Sequence, residues 1–457
     1  VFVHTSNRAE QLFELLLRVV DRPLSDPLKR ECVAVQSRGM ARWIGQGMAE
    51  RRGVWAHAAH PSPRQLVAEL LATTVGQPDP WDVATLGFAI ARALPGVLDR
   101  PEFAPVSDWL AEDREGLRMI QLARVLARRF DDYAVYRPEL VLRWEQGGGD
   151  DWQAPLWRAV LDRLGPEHIA RQSRRYLDAL SHDAPGPGTP ERVSVFGVSA
   201  LPPLFLRVLE ALSAHVEVHL FLLSPARGWW ADVRRRDAEV EEGHPLLSSL
   251  GRTGQDLQRL IAEICADTGP EGDLFITPSV QTLLGSLQHD LVEATLPERP
   301  RSLDPRDRSV SVHGCPGAAR EVQVLRDELL HAFHELDGLR PEDVCVLVTD
   351  LERYRPFIDA TFSEGGAPAL PYRVADRSQQ AVSIVIRAWL DALELLDGRM
   401  EAPDVLALLA IDCVSERAGL SSEDLGLVRE LVRDSGIRWG IDAAHRQRCG
   451  QRADDLH

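Results

Sequence analysis

The sequence predicts an α/β chain built on a parallel sheet and interrupted by a large helical insert. Three observations predict it. Two strand-turn-helix units follow one another at the start. From about Pro63 to Ala179 the apolar spacing becomes helical, and beyond a Pro/Gly-rich stretch the strand pattern returns.

In order, Val1–Thr5 reads as a buried strand, with Ser6-Asn7 placed to cap a helix carrying Leu12, Leu15 and Leu16. Glu31–Val35 is the second strand; it runs through Gln36-Ser37-Arg38-Gly39-Met40 into a helix with Trp43, Ile44 and Met48. The insert repeats apolar residues at helical spacing, as in Leu66/Leu70/Leu71, Leu117/Ile120/Leu122/Leu126 and Trp157/Val160/Leu161/Leu164. Asp183–Glu191 reads as a loop. Strand Val193–Phe196, helix Leu204–Leu212 and strand Val216–Leu223 follow, then a polar, acidic stretch from Asp232 to Gly243. Pro297–Asp307, with three prolines and alternating charges, marks a boundary. A new α/β unit is expected after it: strand Ser309–His313, helix Ala318–Leu336, strand Asp343–Thr349, then mostly helix to His457. The domains are therefore 1–296 (core 1–62 and 191–296, insert 63–182, linker 183–190), a 297–308 linker, and 309–457.

The 457 residues suit about three domains at roughly 150 residues each, with room for real cores. A hydrophobic fraction of 44% and a charged fraction of 26% exclude disordered, collagen-like and coiled-coil classes. Lys29 is the only lysine, in Pro27-Leu28-Lys29-Arg30, with no glycine before it and no Ser/Thr after it. No phosphate-binding loop of the G-x-x-x-x-G-K-[ST] kind can be built on it, and Pro27 stands where a nuclease E-x-K motif needs glutamate. Protein-kinase and Schiff-base chemistries fall with the same residue. The net charge of −17 argues against nucleic-acid binding over the whole surface while leaving room for a local basic groove. Six scattered cysteines with no CxxC suit a reducing cytoplasm better than a disulfide framework or zinc site. No apolar run approaches the ~18 residues of a membrane helix. The chain opens strand-like at Val1-Phe2-Val3-His4, without Met or signal peptide, as an excised or incomplete chain would.

The first turn, Thr5-Ser6-Asn7-Arg8, lacks the glycine and lysine of a nucleotide loop, although Arg8 at a helix start could meet a phosphate. Val193–Phe196 ends in Gly197-Val198 where a nucleotide-hydrolysing domain holds its magnesium acids. Gly197-Val198-Ser199-Ala200-Leu201 comes near the G-x-S-x-G elbow, with Leu201 in place of the final glycine; the plainer reading of Ser199 is a helix cap. His57/His60 and His331/His334/Glu335 lack a second ligand set. His215 and His219 bracket a strand and, at about 3.3 Å per residue, stand too far apart for one ion. Arg124 to Pro138 interleaves arginines with Phe130, Tyr133 and Tyr136, a pattern fit for phosphate clamping and base stacking; the plain alternative is an amphipathic helix with its aromatics inward. Gln36, Arg38 and Arg42 form a polar face at a strand's C-terminal end, where open α/β sheets bind ligands and where Gln or Arg can read base edges. Of 11 tryptophans, most serve as core or interface anchors, with Trp229-Trp230 expected exposed.

Several strings together resemble the gamma subunit of exonuclease V, the RecC family of the RecBCD helicase-nuclease. They are His4-Thr5-Ser6-Asn7-Arg8, Val35-Gln36-Ser37-Arg38-Gly39-Met40-Ala41-Arg42-Trp43, Phe130-Asp131-Asp132-Tyr133-Ala134-Val135-Tyr136-Arg137-Pro138 and Trp152-Gln153-Ala154-Pro155-Leu156-Trp157. Further on come Gly197-Val198-Ser199-Ala200-Leu201-Pro202-Pro203, Leu303-Asp304-Pro305, Arg320-Glu321-Val322 and Ser435-Gly436-Ile437-Arg438-Trp439-Gly440-Ile441-Asp442. They follow the family's order across essentially the whole chain.

The resemblance implies a superfamily-1 helicase-like fold that has lost its ATPase motifs, and covers the family's N-terminal part. The nuclease-like C-terminal domain would lie beyond His457. It implies a non-catalytic DNA-handling subunit of a heterotrimer with RecB-like and RecD-like motors. Such a subunit holds a split duplex from double-stranded DNA ends and scans the 3′-ended single strand for a Chi-like hotspot. ATP and magnesium belong to the partners, with no cofactor in this chain and no membrane role. DNA-binding positions carried over are Gln36, Arg38, Arg42, Arg128, Arg129, Asp131, Asp132 and Arg137. Gln36, Asp131 and Arg137 match the family pattern. Arg38 and Arg42 replace Thr and Gln, Arg128-Arg129 replace Asp-Leu, and Ser62 replaces an apolar residue, which implies a different hotspot or none. The alternatives from other classes are an interaction scaffold without a DNA role and a hydrolase using Ser199.

Overall fold

The computed structural model describes residues 1–26, 28–76, 81–113, 116–149, 151–232, 244–265, 273–302, 304–363, 370–374 and 383–451. Pro27, Leu303 and the acidic stretch from residue 233 to 243 lie outside the described residues. The chain divides into two compact units, Val1–Val312 and His313–His457.

Unit one is organised by five parallel strands: β1 (Phe2–Ser6), β2 (Glu31–Val35), β3 (Ala58–Ala59), β4 (Arg192–Phe196) and β5 (Glu217–Leu223), in the spatial order β1-β5-β4-β2-β3. The inner strands β2 and β4 are buried along their length and β5 all but its ends, as expected of parallel strands covered on both faces. Alternation assigns the faces. Val33, Val35, Phe196 and Phe221 point to α1 (Ala9–Val20) and α2 (Arg38–Arg52), joining Leu12, Leu16, Ile44 and Met48. Val3, Ala34, Val195, Val218 and Leu220 point the other way into a larger core.

That larger core is closed by the helical insert: α3 (Pro63–Val75), α4 (Val83–Ala93), α5 (Ala104–Leu110), α6 (Leu117–Tyr136), α7 (Pro138–Glu145), α8 (Gln153–Leu164) and α9 (Ile169–Leu180). Helix α10 (Pro203–Ser213), between β4 and β5, lies on the same side. Trp157 is the hub, with rings of Trp81, Phe130, Trp144 and His168 around it. Glu145 is buried between His168 and Arg171; burial pushes its carboxyl up, and the bonds from those two hold it below the usual range. Helices Pro245–Leu250, Arg252–Ile264 and Leu283–Val292 complete the unit.

Several expectations need correction. Ser6 and Asn7 do not cap α1, whose N-cap is Arg8: both side chains bond a distant segment, and the Ser6 hydroxyl accepts only from Arg8 N, before the helix begins. Ser199 caps no helix: α10 starts at Pro203 with Pro202 as N-cap, and Ser199 stands exposed in the loop. Trp229 and Trp230 part company; Trp229 is exposed and bonded to Asp232, while Trp230 is buried with its Nε1 donating to Ser224 Oγ at 3.1 Å. Unit two is helical. Neither 309–313, where unit one ends, nor 344–349 forms a strand among the described residues, and Val312 (94%) and Leu347 (92%) stand exposed. Alternation supplies strand propensity, but a strand also needs a hydrogen-bonded neighbour, and these segments have none among the described residues. The helices there are Ala318–Glu335, Leu351–Ser363, Ile384–Asp397, Ala402–Leu409, Asp412–Ala418, Ser422–Asp434 and Ala443–Arg448. The first two are joined by the Tyr354 hydroxyl donating to Glu321 at 2.7 Å.

Candidate nucleic-acid interface

All five strands run the same way, so the loops after them gather at one edge of the sheet. Neighbouring strands β4 and β2 feed helices on opposite faces, α10 into the larger core and α2 into the smaller one. A crevice opens at the C-terminal edge wherever the connections diverge in this way. Here the connections diverge between Gly197 and the turn Gln36-Ser37. Gly197 has φ +66°, and a Cβ on it would meet Met40 Cε at 3.3 Å, so the backbone after β4 and the start of α2 approach closely. Ser37 caps α2 by accepting from Met40 N at 3.1 Å, leaving Gln36, Arg38 and Arg42 exposed.

One side of the crevice is extended by α3. Val35 N donates to Pro61 O at 2.9 Å, and Ser62 with Gln65 forms a capping box. The helix thereby starts beside the end of β2. From its first turn Arg64 makes a two-pronged ion pair with Asp131 of α6, at 2.7 and 2.8 Å. Arg64 also stands near Asp82, whose carboxyl is held below its ordinary range chiefly by the Thr85 hydroxyl, with Arg64 a lesser cause. The α6 residues are thus tied to the sheet edge through Arg64, which the sequence reading did not single out. Its only local signal is the Ser62-x-x-Gln65 cap; the partner lies 67 residues away.

Along α6, Arg128, Arg129 and Asp132 are exposed, with Arg129 and Asp132 3.7 Å apart. Arg137 is exposed at the α6–α7 junction. Phe130 is wholly buried and Tyr133 packs on Trp144, so neither can stack a base; Tyr136 is exposed. The amphipathic alternative holds for those two aromatics. Contacts therefore link Asp131, through Arg64, to the start of α3 beside the strand end that carries Gln36, while Arg137 stands exposed at the far end of α6.

The opposite end of the edge is closed. Ser6 Oγ donates to Leu274 O at 2.7 Å, and the Asn7 amide both donates to Ile276 O at 2.8 Å and accepts from Ile276 N at 3.0 Å. Residues 274–276 thus lie across the turn after β1, with Leu274 against the smaller core. Lys29 sits before β2, at the other end of the strands, and pairs with Glu191 at 2.5 Å. That bond, with Ser25, holds Glu191 down to about 2.

The remaining candidate groups are occupied locally. His57 and His60 bond the carbonyls of Leu28 and Val33, His215 that of Leu180, and His331 pairs with Glu335 at 3.1 Å. Among the described residues no histidine or carboxylate hydrogen-bonds Ser199, and no helix is long and apolar enough to cross a membrane.

A family model described as RecC, N-terminal domain, matches residues 1–294, and one described as RecBCD enzyme subunit RecC fourth domain matches 382–457. The RecBCD enzyme subunit RecC of Escherichia coli (strain K12) is 32% identical over 96% of this chain and 45% of its own length. The Mycolicibacterium smegmatis protein of that name is 33% identical over 98% and 44%, and the Haemophilus influenzae one 29% over 96% and 46%. The chain spans under half the length of these relatives. Matched over its first 294 residues and again at its C-terminal end, the chain belongs to the RecC family.

Proposed function

We propose that this chain is the DNA-handling, helicase-like part of a RecC subunit in a RecBCD-type complex that processes double-strand breaks for recombinational repair in the cytoplasm. In this reading residues 1–62 and 191–296 are a motor core without a motor, 63–182 its helical insert, and RecB-like and RecD-like partners supply ATP, magnesium and nuclease chemistry. The observation that carries the proposal is the division of the sheet's C-terminal edge. Its β1 end, where a motor would cradle phosphates, is covered by 274–276, whereas its β2 end is open and lined by Gln36, Arg38, Arg42 and the Arg64–Asp131 pair. An amide and guanidiniums at an open edge suit base edges and phosphates of a single strand. That strand would be the 3′-ended one, scanned for a hotspot.

Reconstitution with motor subunits on linear DNA carrying a hotspot tests this. Gln36→Ala or Arg137→Ala should alter the hotspot response more than the unwinding rate. Equal loss of both would assign these residues to folding or assembly. DNA-dependent ATP hydrolysis by the chain alone would also overturn the reading.

A further inference from the structure

Phe88 is the most exposed aromatic residue among the described residues, at 76%. Helix α4 has already met its core requirement through Leu86, Ala89, Ile90 and Ala93, so packing does not account for a phenyl ring on the outward face. Beside it, α4 packs on α6: a Cβ on Gly87 would lie 3.8 Å from Ala127 Cβ, in ordinary contact. Arg124 and Arg128 stand exposed on α6 within one turn of that crossing, and Arg92 is exposed one turn beyond Phe88. These three guanidiniums make no ion pair or hydrogen bond among the described residues, in a chain of net charge −17. The nearby acids of α6 are answered internally, Asp131 by Arg64 and Asp132 by Arg129. The exposed residues of α4 and α6 near this crossing therefore include three guanidiniums without an acidic partner among the described residues, the Phe88 ring, and the aliphatic Ile120 and Val125.

We propose that Phe88 is a stacking platform for an unpaired base, with Arg124 and Arg128 receiving the flanking phosphates, so that single-stranded DNA crosses the outer face of α4 and α6. The inference rests on the DNA-handling reading and extends it from Arg128, already a candidate DNA-binding position, to Arg124 and Phe88. A ring stacks on a base whose faces are free, which selects single strand over duplex.

The test is fluorescence anisotropy of the intact chain with a labelled oligothymidylate and with a duplex of equal length. Phe88→Ala should weaken single-strand binding about five- to a hundredfold, Phe88→Trp should retain it, and duplex binding should be unmoved. The Arg124→Gln/Arg128→Gln pair should flatten the salt dependence of single-strand binding by about 1.4 in log–log slope. Photocrosslinking to an iodouracil-bearing strand should label Phe88. Thermal unfolding of each variant checks the fold; the substituted side chains are all at the surface. If Phe88→Ala binds like the parent while Gln36→Ala and Arg137→Ala bind weakly, the platform is refuted and the DNA reading stands. If none of these variants differs from the parent, both are refuted. If Phe88→Ala impairs association with motor subunits and leaves DNA binding intact, this face is a protein interface and the proposal is overturned.

Discussion

Acidification should loosen the seam between β1 and β5 through one pair of histidines. His4 and His219 are buried on these neighbouring strands, Nε2 of one 3.1 Å from Nδ1 of the other, in a stack with Phe2 and Phe221. One N–H between the two nitrogens makes the bond, and a second there would set two donors face to face. Burial first, and His219 second, push His4 down to about 4 from 6.5. His219 is also lowered, by burial foremost, against the pull of Glu217, with Arg22 and Arg192 adding to the lowering. Between those two values the unfolded chain takes up a proton that the folded chain refuses. The contribution is therefore complete above pH 6.5 and is lost as pH falls towards 4. For His4 alone the loss from pH 7.5 to 4.5 is no more than about 2.5 kcal/mol, at about 1.36 kcal/mol per unit. Denaturant titrations followed by tryptophan fluorescence at a series of pH values would measure it. His4→Phe keeps an aromatic ring in the stack and removes the titration, so its stability should fall less steeply than the parent's over that range. Parallel slopes for the two proteins would refute the reasoning.

Three further outcomes follow from the packing. Arg192→Met strands Glu31, which is buried and bonded to that guanidinium at 2.8 and 2.9 Å; it should cost about 3–5 kcal/mol in denaturant unfolding, much of it recovered in Glu31→Gln/Arg192→Met. Gly47→Ala places a Cβ 2.7 Å from Phe13 Cζ and should cost about 1–3 kcal/mol by the same measurement, since the ring must turn away from α2. Arg64→Ala releases the Asp131 carboxylate towards the crevice and should weaken single-strand binding by about fivefold, on the order of 1 kcal/mol. Arg64→Ala/Asp131→Ala should regain most of that affinity, and equal affinity in the two variants would sink the electrostatic argument.

Strands β1, β2, β4 and β5 were legible because each is an apolar run bounded by turn residues, and β2 begins and ends where its pattern says. Gln36 was legible as an edge residue for a related reason: Ser37 is a strong cap, so the chain must leave the strand just before it. The two-residue β3 is too short for any periodicity to register. The pairing of Arg64 with Asp131 and the capture of Ser6 and Asn7 by 274–276 are long-range facts that no local window contains. Phe130 and Phe88 mark a different limit. Both sit on helices with arginines nearby, but one faces Trp157 and the other faces solvent. Only the orientation of each helix separates a core ring from an exposed one. The segments 309–313 and 344–349 misled because alternation reports propensity, and propensity alone does not supply a neighbouring strand.

On the proposed helicase-like reading, the closure over β1 bears on whether a nucleotide loop could be built there. Writing a glycine-rich loop with its lysine and serine into the turn after Thr5 would supply every side chain a phosphate cradle asks for. The mouth of that cradle would still be filled by Leu274 and Ile276, which bond to residues 268 and 269 positions earlier in the chain. Point substitution at the loop is therefore not enough, since a second and distant segment must also be lifted away. A sheet edge sealed from elsewhere in the chain behaves as a ratchet, and the open β2 end is left as the part of this edge still free to vary.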